Sequence, residues 1–128
     1  MSEAIETDVL IVGGGGAGCR AAIEAHDQGV EVLMIVKGRL GHSGCTLNVG
    51  TSNAVGPWGV KEDTYLSAAR DLLAHGGYLG NQDMVMILAE DAPERIYELE
   101  RWGVDFVRNP DGSIEITQAA AHEYPRNM

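Results

Sequence analysis

Asp8-Val-Leu-Ile-Val-Gly-Gly-Gly-Gly-Ala-Gly18 is the stretch whose reading decides the fold. Val9 to Val12 is an apolar run with three β-branched residues. It reads as a short strand buried on both faces, as the central strand of a parallel sheet is. It runs straight into glycine, and Gly13, Gly15 and Gly18 fit G-x-G-x-x-G. In that pattern the first glycine makes a tight turn, the second lets backbone approach a pyrophosphate, and the third lets helix pack closely on strand. The helix then starts where a phosphate would sit. Its unpaired N–H groups and the positive end of its dipole would face the anion.

A glycine-rich turn without a ligand is the competing reading, and the flanks weigh against it. Gly18, Ala21, Ala22 and Ala25 put small residues on one helix face, with Cys19 and Ile23 beside them. Gly29 stands where a C′ glycine belongs, and Val30 to Val36 is a second apolar run. The whole is a βαβ unit over residues 8–36. The expected fold class is therefore α/β, a Rossmann-like dinucleotide-binding βαβ domain with added helices and a β-hairpin.

Composition narrows the partners. The chain has 128 residues, one domain's length, and 19 acidic against 9 basic residues give a formal charge of −10. That balance argues against nucleic acid or an anionic membrane surface as a direct partner. Met1 to Thr7 has no basic leader pattern and no apolar run approaches spanning length, so no direct membrane insertion and a cytoplasmic chain are expected. Cys19 and Cys45 have neither metal-ligand spacing nor a disulfide framework, and no metal site is expected.

Dinucleotide-binding folds place an acid at the end of the second strand to take the ribose hydroxyls. Here that place reads Ile35-Val36-Lys37-Gly38, which disfavours an NAD-type ligand. Residues 38–59 show little periodicity but many glycines, with Ser43 and Thr46 hydroxyls among them, and read as a loop lying along a large cofactor. A helix is expected over 63–74, closed by Gly76-Gly77, and a helical stripe over 82–102 behind the N-cap Asn81. Pro93 is expected to split that stripe near Asp91 into two helices meeting at an angle. Residues 104–117 around Asn109-Pro-Asp-Gly112 predict a hairpin.

Taken jointly, several stretches resemble the flavoprotein subunits of succinate dehydrogenase and fumarate reductase, with L-aspartate oxidase as a close relative. They are Thr7 to Gly18 with Arg20-Ala-Ala22, Val36-Lys37-Gly38, Gly41-His-Ser-Gly-Cys-Thr46 and Gly80-Asn-Gln-Asp-Met84. Further on come Ala89-Glu-Asp-Ala-Pro-Glu94, Leu99-Glu-Arg-Trp-Gly-Val104, Asp111-Gly112 and Ala121-His-Glu-Tyr-Pro-Arg126. The resemblance implies FAD as cofactor and an N-terminal portion of a larger flavoprotein fold. Gly13, Gly14, Gly15, Gly16, Ala17 and Gly18 would hold the pyrophosphate. Lys37 and Gly38 would lie by the adenosine ribose, and Ser43, Gly44, Cys45, Thr46 and Gly50 would run along the flavin. Many respiratory members attach flavin through the histidine of Ser-His-Thr. With Thr46 aligned to that threonine, Cys45 takes the linkage position and His42 falls where others carry arginine, so non-covalent FAD is expected.

Family members are several times longer, and their dicarboxylate-binding capping domain lies beyond residue 128. No catalytic residue is assigned here. The chain is expected to be a fragment or one piece of a split flavoprotein, completed by the rest of the protein or a complementing chain. In the whole enzyme the resemblance implies oxidoreduction of C4 dicarboxylates and electron transfer to an iron–sulfur subunit, peripheral to the inner face of the membrane where partner subunits hold it. L-aspartate oxidase is the nearest rival, followed by a non-catalytic nucleotide-binding module. An NAD(P) enzyme is the weakest reading.

Overall fold

The computed structural model describes residues 4–42 and 44–128. They fall into two compact units, the first ending at Gly50 and the second spanning Thr51–Met128.

In the first unit, strand β1 (Val9–Val12) leads through the glycines into helix α1 (Gly16–Asp27) and on to strand β2 (Val32–Ile35). The strands pair in parallel, Val9 opposite Val32 through Val12 opposite Ile35. Two contacts fix the register at its start. The Asp8 carboxylate accepts the Glu31 N–H at 2.8 Å, and the Thr7 hydroxyl donates to the Glu31 carbonyl at 2.9 Å. Gly29, at φ +83°, ends α1 in the left-handed turn that glycine adopts most readily. The expectation that β1 is buried on both faces is corrected. Alternate side chains point to opposite faces, and within this chain Leu10 and Val12 remain 55% and 76% exposed. A 3₁₀ turn, Cys45–Asn48, follows later in the unit.

The second unit holds helices α2 (Tyr65–His75) and α3 (Gln82–Arg101). Helix α2 starts two residues later than residue 63, because Thr64 and Ser67 form a reciprocal capping box. Asn81 caps α3 by accepting the Met84 N–H at 3.0 Å. The helices meet through Ala68, Ala69 and Ala89, small side chains that permit close approach. A second cluster gathers Ala54, Ala92, Ile96, Phe106 and Ile114. No helix or strand is formed over 51–59, which stays irregular as expected. Ala54 is core of this unit, and Asn53 pairs with Asn127.

Pro93 does not split α3, contrary to expectation. An interior proline removes the hydrogen bond to the carbonyl four residues back and costs about 3 kcal/mol. Ala89, Ala92 and Ile96 are buried on both sides of it, and burying one isoleucine side chain returns roughly 1.5–3 kcal/mol. Packing along a continuous stripe therefore outweighs the local break. The hairpin expected over 104–117 contracts to one antiparallel bridge, Arg108 with Ile114, beside a turn in which the Gly112 N–H donates to the Asn109 carbonyl at 2.9 Å.

The segment ending at Met128 is fastened by Arg126, which is 1% exposed. Its Nε and Nη2 donate to Asp63 at 2.7 and 2.6 Å, and its Nη1 to Asp71 at 2.8 Å. Burial raises both carboxyls. The hydrogen bonds from Arg126 and Ser67 to Asp63, and those from the Glu123 amide and Arg126 to Asp71, outweigh it and hold both below the usual carboxylate range. Arg126 itself is held above its ordinary value, since the two carboxylates overcome the opposing effect of burial.

Substituting Arg126→Met leaves buried Asp63 with no cationic partner and Asp71 with only the longer Arg70 contact at 3.4 Å, and is expected to destabilise the protein by about 3–5 kcal/mol, read as a fall in denaturation midpoint. A second expectation concerns acid. Because both folded carboxyl pKa values are lowered, their stabilisation is complete above the unfolded value of about 3.9 and is lost as pH falls through the folded values. Asp71→Asn should flatten that acid limb in a melting-temperature profile against pH.

Candidate functional site

The site is built where β1 turns into α1. Gly13 has φ +108°, and its N–H donates to the Ile35 carbonyl at 2.9 Å, carrying the ladder one residue past the strand. The helix then crosses very close. A Cβ on Gly18 would lie 2.1 Å from the Gly13 carbonyl oxygen, which no side chain tolerates. Gly14 is nearly as confined, with Leu40 Cδ1 at 2.6 Å and Val36 Cγ1 at 2.7 Å from a Cβ placed there. Gly15 is the N-cap and has no side chain to satisfy the first-turn amides.

Those amides define the chemistry. The first turn of an α-helix has N–H groups with no intrahelical acceptor, and they carry the positive end of the dipole. Residues Gly16, Ala17 and Gly18 supply them, and the turn contains no acidic residue. Thirty residues later in the chain, the Thr46 hydroxyl accepts the Gly16 N–H at 3.0 Å. A hydroxyl is both donor and acceptor, so while its oxygen takes the Gly16 N–H its own O–H is left to donate, beside the first-turn amides of Ala17 and Gly18. Around Gly15 and Gly16 the nearest atoms to a built Cβ belong to Thr46, at 3.7 and 3.4 Å. The glycine surface is thus tight towards the strand and open on its outer side. A diphosphate fits that cradle, with backbone as its main donor.

The other expected residues are placed less closely. Gly44, at φ +94°, opens the 3₁₀ turn, and Cys45 is an exposed free thiol beside Thr46. Lys37 is exposed just past β2, where it joins Val12, Ile35 and Val36 around an open cavity of about 300 Å³ at the strand ends. Gly38 and Gly50 are exposed, with open space where a Cβ would go. Ser43 lies outside the described residues. Sequence reasoning overlooked Leu40 and Val36, whose side chains wall the Gly14 turn. Leu40 had a signal, being an apolar residue isolated within a glycine-rich polar stretch. Cys19 Sγ also sits 3.7 Å from the Gly14 carbonyl, consistent with a small packing residue.

A family model described as "FAD binding domain" matches residues 8–128. A fumarate reductase (CoM/CoB) subunit of Methanothermobacter marburgensis is 36% identical over 126 residues, covering 98% of this chain and 23% of that protein. An uncharacterized FAD-dependent oxidoreductase of Methanocaldococcus jannaschii is 43% identical over 112 residues, covering 86% of this chain and 20% of that protein. Among solved structures, Mycobacterium smegmatis Sdh1 in complex with UQ1 superposes with a TM-score of 0.87 at 34% identity, over 94% of this chain and 20% of that one. E. coli quinol fumarate reductase gives 0.85 at 31%, over 95% and 21%. The chain spans about a fifth of the length of the proteins it matches.

The geometry sets a contrast between neighbouring glycines. Gly18→Ala should cost about 1–3 kcal/mol, because helix and strand must separate. Gly16→Ala meets Thr46 only at ordinary contact distance and should change stability by less than about 1 kcal/mol in either direction. Paired chemical denaturation curves distinguish the two.

Proposed function

The chain belongs to the FAD binding domain family and its cofactor is FAD; from that premise we propose that it is the FAD-binding portion of a flavoprotein acting on C4 dicarboxylates. The observation carrying this reading is the α1 N-terminus, where the Gly18 approach to Gly13 and the Thr46 hydroxyl on the Gly16 amide leave a cradle of donors. In this reading Gly13 to Gly18 hold the diphosphate. Lys37 and Gly38 lie by the adenosine ribose, and Ser43, Gly44, Cys45, Thr46 and Gly50 follow the flavin without a covalent bond. Backbone amides orient the diphosphate, and the α1 dipole favours its negative charge by about 0.3–1 kcal/mol, up to roughly 2 kcal/mol where the geometry is partly buried. When bound, FAD supplies the redox chemistry, while this chain binds and orients it.

The dicarboxylate reading is supported by relatives named as fumarate reductase and succinate dehydrogenase flavoprotein subunits. It carries with it an electron-accepting iron–sulfur subunit and a cytoplasmic position at the inner membrane face. No helix among the described residues is long and apolar enough to cross a membrane.

The test uses the protein at its full natural length. Purified, it should be yellow, release its flavin into the supernatant on acid precipitation, and interconvert succinate and fumarate with an artificial electron carrier. Flavin retained in the precipitate would refute non-covalent binding, and turnover of L-aspartate in place of succinate would reassign the substrate. The 128-residue chain alone should be inactive and should not hold FAD at sub-micromolar affinity in a flavin-fluorescence titration.

A further inference from the structure

Arginine has five guanidinium N–H groups, and in Arg126 each one has an acceptor. Asp63 takes two, Asp71 takes one and the Ser67 hydroxyl takes one at 3.2 Å. The fifth goes to His122, whose Nδ1 lies 2.9 Å from Nη1. Since arginine can only donate, Nδ1 must accept, which fixes the ring as neutral with its proton on Nε2. Of the acceptors on this buried guanidinium, His122 alone is of a residue type whose ordinary pKa, about 6.5, lies near neutrality.

We propose that His122 is a proton-sensitive latch: its neutral ring completes the Arg126 cluster that holds residues 117–128 on α2, and its protonation releases that segment. Protonation would replace an acceptor with a cation directly against Arg126 and orphan one buried N–H. The surroundings on every packed side bear on the outcome. Helix α2 presents Asp71 and His75, the turn before it presents Asp63, and the segment itself presents Arg126. From α3, Leu88, Ala89 and Ala92 contribute only apolar wall to the cavity of about 240 Å³ that His122 lines. Burial, then the Arg126 charge, lower the histidine; Asp71 and Asp63 oppose them without reversing the direction.

What the latch restrains is also visible. The Glu123 N–H donates to Asp71 at 2.8 Å, and Arg70 pairs with Glu123. The Ala54 N–H donates to the Arg126 carbonyl, and Thr117 and Asn127 exchange both backbone hydrogen bonds at 2.7 and 3.0 Å. Ala121 is held at φ +62°, a conformation unfavourable for a residue with a Cβ, so the segment has a local tendency to let go. Because the folded pKa lies below the free value, the closed state is fully favoured above about pH 6.5 and weakens as pH falls from there towards the folded value.

Hydrogen exchange read by mass spectrometry on the full-length protein tests it, with rates corrected for the intrinsic effect of pH. Between about pH 7.5 and 5.5, protection of peptides covering 51–55 and 117–128 should fall, by up to roughly tenfold per pH unit below the free histidine value. Peptides of α3 should stay level. His122→Asn keeps an oxygen acceptor near the Nδ1 position but cannot titrate, and should abolish the pH dependence. A level wild-type profile overturns the latch. So does a parallel loss in α3, which would mean general acid unfolding, or an H122N profile that still follows the wild type. Should H122N fail to fold, the wild-type comparison between 117–128 and α3 decides the matter alone.

Discussion

The Gly13 carbonyl oxygen lies where a side chain on Gly18 would begin, and the first unit is arranged around that approach. Bringing a helix this near to a strand brings its uncapped first turn to the strand's end, so the packing constraint and the proposed diphosphate cradle share the same atoms. The neighbouring residues serve the same closeness. Val36 and Leu40 press on Gly14 from one side, while Thr46 meets Gly15 and Gly16 on the other. A side chain at position 18 would therefore disturb the ladder, the turn and the donor array together.

The second unit is organised by charge. Asp63 and Asp71 lie eight positions apart along the chain, yet both carboxylates converge on the one guanidinium of Arg126. A buried ion pair is weak evidence of net stability, because desolvation offsets the attraction. Its stronger consequence is specificity. With every donor matched, the segment 117–128 has one satisfactory position, and misplacing it would bury unpaired charge. The apolar clusters supply the bulk of the cohesion, and the cluster of charges fixes which surface closes over them.

Legibility followed the range of the interaction. The glycine pattern, the C′ glycine at Gly29, the Asn81 cap and the turn at Gly112 are short-range features, and each stands where local chemistry puts it. Pro93 misled because the local rule, a broken helix, competes with a buried stripe whose partners lie elsewhere in the chain. Exposure of Leu10 and Val12 departs from the expected double burial for the same reason, since composition identifies a strand but not what covers it. Thr46 on Gly16 and Arg126 on Asp63 bridge 30 and 63 residues, and neither pair is written in any local spacing. Arg126 lies within a stretch that resembles the flavoprotein family, which marks its position without revealing its partners.

Family membership is legible here while the substrate is not, and the reason is physical. Donors at the α1 N-terminus are backbone amides, identical whatever side chains surround them, and in the proposed reading they would address a diphosphate through charge and geometry. Such a surface suits any member of the family equally well. Discrimination between a dicarboxylate and an amino acid requires side chains that match or reject particular substrate groups, since a missing hydrogen-bond partner separates substrates far better than shape does. None of the residues assigned to the diphosphate is of that kind. Gly13 to Gly18 offer no side chain beyond a methyl group, and Thr46 offers a single hydroxyl. Cofactor recognition built from backbone is thus strongly patterned in sequence and silent about the reaction it serves.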